Sequence, residues 1–193
     1  MNKMGEAAPA LAFARQQKLH GEELPAVAFL EAVRGEQAAS ERDLQSFASA
    51  RPWISPRYTE LQRLSTQIVA DLLRSDGRGA LEALGRYPDV RRVEVLFSRA
   101  RAHLLVNDYA SAEPMFRSAL REGHTFSNSA FMRAQVPLFS LLCHFYLGQL
   151  YEATGKTPQA IDEYQSFLSH FEGSRTKLPQ VVEARAALKR LMH

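Results

Sequence analysis

LGQLYEATGKTPQAIDEYQSFL, residues 147–168, is the stretch whose reading decides the fold. From Pro158 to Phe171, Ile161, Tyr164, Leu168 and Phe171 recur at three- and four-residue steps, the spacing that lines one face of an α-helix, while Asp162, Glu163 and Gln165 fall elsewhere. Thr157 is expected to cap this helix through its hydroxyl, with Pro158 at the first helical position, where a missing N–H is no loss. Before it, Pro137 to Thr154 carries Leu138, Leu141, Leu142, Phe145, Leu147, Leu150 and Tyr151, an apolar surface wide enough to be covered on both sides. Only Gly155 and Lys156 separate the two segments, so the spacing predicts an antiparallel helical hairpin.

The layout recurs upstream. Val93, Leu96, Phe97, Ala100, Leu104 and Leu105 precede Asn107-Asp108, and Tyr109, Ala112, Phe116, Ala119 and Leu120 follow. With the turns aligned, Ala112 matches Ala160, Phe116 matches Tyr164, Ala119 matches Phe167 and Ala100 matches Gly148. Small residues in these slots let helix backbones approach, and the aromatic fills the space between units. A third copy is expected over Tyr58 to Leu84, with Leu61, Leu64, Ile68 and Leu72 before the Asp76-Gly77 turn and a short second helix. Ala112 and Ala160 are 48 positions apart, against about 34 in a regular helical-hairpin repeat. The surplus falls in EGHTFSNSAFMRAQVP, which reads as an inserted loop bent at Asn128-Ser129 and Pro137.

Leu147, Gly148, Tyr151, Ala160 and Tyr164 around the Gly155 turn resemble the tetratricopeptide repeat signature. The unit at Leu96 to Arg121 matches it less fully, with Ala100 in the glycine slot and His103 in the tyrosine slot. The stretch from the NSAF loop to LPQVVEARAALKRL resembles, more narrowly, the C-terminal repeat region of some bacterial eukaryotic-like serine/threonine kinases and related winged-helix regulators. That resemblance implies a Pro-initiated helix closing the array, here Pro179 to Leu191, with Val182, Ala186 and Leu188 covering the exposed face. The kinase part is absent, since the chain has no Gly-rich phosphate loop with a paired lysine and no HRD or DFG string.

The expected fold is therefore all-α: a tetratricopeptide-like helical-hairpin solenoid with a C-terminal capping helix. Its repeat region is 56–193, with units at about 57–86, 91–122 and 137–172 and the capping helix at 179–191. Residues 1–55 form N-terminal helices, candidates for degenerate repeats, over Ala7 to His20, Leu24 to Arg34 and Glu36 to Ala50. The boundary falls in RPWISP, where Pro52 and Pro56 disfavour helix and Trp53 is expected to pack into the junction.

Composition narrows the function classes. The 193 residues are 46% hydrophobic and 23% charged, enough for a substantial core, and the +3 net charge (24 basic against 21 acidic residues) is far from the basic blocks of a dedicated nucleic-acid binder. One cysteine, Cys143, excludes an intrachain disulfide framework. Arg15, Gln16 and Gln17 interrupt the N-terminal Ala-rich stretch before a signal-peptide core forms, and no window approaches a membrane span, so a cytoplasmic location is expected and no membrane partner. His20, His103, His124, His144, His170 and His193 are scattered without metal-ligand spacing. Cys143 and His144, about 100° apart on a helix, cannot act as a nucleophile–base couple, so Cys143 reads as a buried structural thiol. Arg74, Arg78, Arg86, Arg91, Arg92, Arg99 and Arg101 are interleaved with Asp71, Asp76, Glu82, Asp89 and Glu94, which favours a mixed solvated face over a nucleic-acid stripe.

These features point to a non-catalytic, cofactor-free interaction module that holds a peptide or partner protein in a concave groove lined by first helices, in signalling or complex assembly. By analogy with such repeats, the groove candidates are Glu94, Phe97, Arg101, Leu104, Gln149 and Glu152. Two alternatives stand beside it: a nucleic-acid-associated regulator acting through the arginine-rich middle, and a self-associating assembly scaffold.

Overall fold

The computed structural model describes residue 28 and residues 31–32, 36–50, 55–86, 93–123, 130–175 and 178–192. Among these residues the regular structure is entirely helical, with no strand. The chain divides into two compact units, Met1–Asp89 and Val90–His193. The first holds α1 (Gln37–Ser49), α2 (Pro56–Leu73) and α3 (Gly77–Arg86). The second holds α4 (Val93–Leu105), α5 (Tyr109–Gly123), α6 (Ala130–Ala153), α7 (Thr157–Ser169) and α8 (Pro179–Leu191).

Three helical hairpins, α2–α3, α4–α5 and α6–α7, share one turn geometry. Each first helix ends on a residue in the left-handed region, Ser75 at φ 62°, Asn107 at φ 60° and Gly155 at φ 71°. The next residue donates its N–H five positions back, Asp76 to Asp71 at 2.8 Å, Asp108 to His103 at 2.9 Å and Lys156 to Tyr151 at 2.8 Å. The left-handed residue donates three positions back, to Leu72, Leu104 and Glu152. This paired pattern satisfies carbonyls that a helix end leaves orphaned. Five positions beyond the left-handed residue stands an alanine each time, Ala80, Ala112 and Ala160, and all three are fully buried.

Nine positions beyond it stands a large apolar residue, Leu84, Phe116 or Tyr164, and seven before it stands the residue that this side chain corresponds to on the first helix, Ile68, Ala100 or Gly148. All of the former are buried, as are Ile68 and Ala100. At Gly148 a Cβ would meet the Tyr164 ring at 2.7 Å, so the glycine is required by close approach and not by turn geometry.

The second unit has one continuous core. Phe97, Phe116 and Tyr146 form an aromatic group, with Phe97 6.1 Å from Phe116 at 68° and Phe116 stacked 6.0 Å from Tyr146 at 11°. Phe145 and Phe167 extend it at 5.3 Å, and Val181, Ala184 and Ala187 close it from α8. In pairwise packing, α6 lies against α4, α5 and α7, while α8 lies against α7; in the first unit α2 lies against α1 and α3.

Four expectations change. Residues 130–137, assigned to the inserted loop, are the opening two turns of α6. Thr157 is the first residue of α7 and not its cap; Lys156 holds the cap position without a side-chain bond, and the Ala160 N–H bonds back to the Lys156 carbonyl at 3.0 Å. The inward stripe of α7 runs through Ala160, Tyr164 and Phe167, with Ile161 and Leu168 at its edge. On α8 the covering residues are Val181, Ala184 and Ala187, with Leu188 partly buried, while Val182 and Ala186 are exposed. Val181 and Val182 stand about 100° apart, so only one can face inward, and both have the same chemistry. Trp53, Ala7 to His20 and Asn128-Ser129 lie outside the described residues, as do Arg91 and Arg92.

Candidate functional site

The first helices of the second unit, α4 and α6, carry the six groove candidates, and the structure separates them into three groups. Phe97 is 5% exposed and packs against Phe116, Phe139 and Tyr146, so its side chain belongs to the interior and offers a partner no surface. Leu104 is partly buried against the same core. The Glu94 side chain lies outside the described residues.

Arg101 places its guanidinium 4.9 Å from the Tyr146 ring centroid, a cation–π contact that joins α4 to α6. Burial pushes the Tyr146 hydroxyl above its ordinary pKa, against the opposing pull of Arg101, so it remains a neutral phenol. Arg101 is partly exposed, and the ring contact gives its charge a fixed position.

Gln149 and Glu152 face α8. Gln149 Nε2 donates to Glu183 at 2.5 Å, while Glu152 accepts from Arg190 in an ion pair and from the Tyr164 hydroxyl at 3.1 Å. The sequence did not disclose Glu183 and Arg190 as their partners, because the register of α8 against α6 is a long-range property. The surface expected to receive a foreign segment here already receives an amphipathic helix of the chain itself.

A second polar group clasps α5 to α6. Tyr151, 1% exposed, donates its hydroxyl to Glu113 at 2.8 Å and accepts from Arg117 at 2.5 Å, and Lys156 donates to the other Glu113 oxygen at 3.2 Å. A buried tyrosine needs a partner for its polar tip, which was the one signal available in the sequence. Burial alone would raise the Glu113 pKa, but the bonds from Tyr151, Lys156 and Arg117 outweigh it and hold the carboxyl below its ordinary value. Its folded pKa is depressed, so its stabilisation is present above the unfolded carboxyl range and is lost as pH falls through the folded value. Glu113→Gln is expected to be less stable than the parent at pH 7 and to converge with it in chemical denaturation once the pH is low enough to protonate the carboxyl in the folded protein. An equal difference at both pH values would remove this role.

Asp71 in the first unit has the opposite sign. It is 1% exposed, accepts from both Gln67 at 2.7 and 2.8 Å and from Arg74, and burial raises its pKa despite those bonds. The folded state binds its proton more readily than the unfolded one, so the cost of keeping it charged diminishes as pH falls.

The arginine-rich region bears on the nucleic-acid alternative. A cleft of about 350 Å³ in the first unit is lined by Arg63, Arg74 and Arg86 together with Glu41, Glu82 and Gln67. Arg63 pairs with Glu60 at 2.7 Å, Arg74 with Asp71, and Arg86 with Glu82 at 2.6 Å. The field in the cleft is thus locally compensated, and nothing there resembles a phosphate-tracking stripe.

Cys143 is fully buried, and burial pushes its thiol up to about 12, which suppresses the nucleophilic thiolate. His144 bonds to Glu163 at 2.7 Å across α6 and α7, and His103 bonds to Asp108 at 2.9 Å beside the turn. Among the described residues no group of three or more His, Cys, Asp or Glu could hold a metal ion, and no helix is long and apolar enough to cross a membrane.

Fold and site together define an all-α protein of repeated helical hairpins whose last hairpin carries a docked terminal helix. No protein-family model, curated protein or solved structure matches the chain.

Proposed function

We propose that the chain is a non-catalytic interaction module built of tetratricopeptide-like repeats, which binds an amphipathic helix or extended peptide of a partner protein on the face of its first helices. The observation that carries this reading is the seating of α8. A helix with small apolar residues at Val181, Ala184 and Ala187 lies against the last hairpin, and two polar ties to Gln149 and Glu152 fix its register. A hairpin surface that holds one amphipathic helix in this way has the shape and chemistry to hold another, with small residues admitting close approach and polar residues setting register.

The common turn geometry of the three hairpins and the fully buried alanine five positions beyond each turn support the repeat assignment. Arg101 is the residue placed to read the partner, since its charge is fixed over Tyr146 and its helix borders α6. A partner meeting it carries a carboxylate at the matching position.

The test is capture of binding proteins by the immobilised chain, compared with the Arg101→Glu and Arg101→Lys variants. Arg101→Glu is expected to reduce capture by about tenfold or more, and Arg101→Lys by less. Unchanged capture by Arg101→Glu, with helical content preserved in circular dichroism, would refute the face assignment.

A further inference from the structure

The hairpins of the second unit are joined by rings, with Phe97, Phe116 and Tyr146 linking α4, α5 and α6 and Phe145 and Phe167 linking α6 to α7. The helix α8 adds no ring to that core. It buries one valine and two alanines completely, Val181, Ala184 and Ala187, with Leu188 and Leu191 partly covered. Its backbone lies against α7, and it reaches α6 through side chains at the surface: Gln149 Nε2 donates to Glu183 at 2.5 Å, and Arg190, 60% exposed, pairs with Glu152. Apolar stabilisation scales with the area removed from water, so α8 is held more lightly than the hairpins are held to one another.

What α8 presents to the hairpin is a pattern. Val181, Ala184 and Ala187 form the inner stripe, and Glu183 and Arg190, two turns apart, lie on the flank that meets α6. Gln149 meets Glu183 and Glu152 meets Arg190, in the same order along both helices, so the ties set direction as well as register. Burial raises the pKa of the Tyr146 hydroxyl, Arg101 opposes that rise and Glu183 adds to it, so the acid of α8 and the cation of α4 act on one group. We infer that α8 is an intramolecular stand-in for the partner's helix, whose seat on α6 and α7 opens to the partner as α8 lifts off. The partner's helix carries the same pattern: small apolar residues spaced by three, an acid one residue before the second of them and a base three residues after the last. The inference rests on the reading of the chain as an interaction module and adds to it the partner's chemistry and a self-blocked state. A tethered helix competes at an effective concentration of roughly millimolar, so a free helix of equal intrinsic affinity binds the closed chain poorly.

The probe is a fluorescent, end-capped peptide of residues 178–192, titrated with the full chain and followed by anisotropy. Arg190→Glu in the chain, at an exposed position, sets a like charge against Glu152 and loosens the tethered helix. That chain is expected to bind the peptide at least about tenfold more tightly than the parent does. The same peptide carrying Ala184→Glu should bind neither chain. Hydrogen exchange of the parent should show the α8 amides opening together, at least about tenfold faster than those of α6 and α7. Equal affinity of the two chains, no binding by the Arg190→Glu chain, binding that survives Ala184→Glu in the peptide, or α8 amides that exchange only together with those of α6 would each overturn the inference. Capture of binding proteins that depends on Arg101, in a chain that does not exchange α8 for the peptide, would remove the stand-in role alone and leave the interaction module standing.

Discussion

Phe116→Ala is expected to lower the stability of the second unit by about 3–5 kcal/mol, a large fraction of what a domain of this size has to spare. Phe116 is fully buried, lies edge-on to Phe97 at 6.1 Å and stacks on Tyr146 at 6.0 Å, so its ring is the joint between α4, α5 and α6. Truncation removes the transferred area and leaves a cavity walled by other rings, which rotate poorly to fill it because each is held by further aromatic contacts. Urea denaturation of parent and variant measures the loss. A change below about 1 kcal/mol would mean that the hairpins do not share this core.

Gly148→Val is expected to cost about 3 kcal/mol through the opposite fault. A Cβ at 148 would stand 2.7 Å from two atoms of the Tyr164 ring, and Tyr164 is itself buried, with its hydroxyl bonded to Glu152. Moving the ring therefore also disturbs the tie that holds α8 through Glu152. The first hairpin indicates the remedy, since Ile68 and Leu84 occupy the slots that Gly148 and Tyr164 fill here. Adding Tyr164→Leu to Gly148→Val is expected to recover part of the loss. A double variant whose loss equals the sum of the two single losses would separate the slots and break the correspondence between the hairpins.

The local features were legible in the sequence for a physical reason. A turn closed within six residues and a stripe repeated every three or four are set by nearby chemistry, so the hairpins at Asn107 and Gly155, and the matches of Ala112 with Ala160 and Phe116 with Tyr164, could be read directly. The Asp76 turn was legible too, although Ser75, not a glycine, takes its left-handed position. What resisted reading was rotation and reach. The buried face of α8 depends on which of two adjacent valines turns inward, and α6 continues upstream through Pro137 although a proline usually marks a helix start. Of the candidate site, the membership of Arg101, Gln149 and Glu152 in first helices was legible, while their contacts with Tyr146, Glu183 and Arg190 were not. Phe97 was misplaced because a phenylalanine on a first helix suits groove and core equally, and only the neighbouring Phe139 and Tyr146 rings decide the matter.

Cys143, the chain's single thiol, sits fully buried in the α6 core with its proton held tightly. Its position makes it a clock for the second unit. A thiol reagent cannot reach it in the closed molecule, so the labelling rate counts openings around α6 without any engineered probe. At low reagent the rate reports how often the unit is open, and at saturating reagent it reports how fast it opens. The residue with the least chemistry to offer in the folded state thus gives the most direct access to the opening motions of the hairpins around α6.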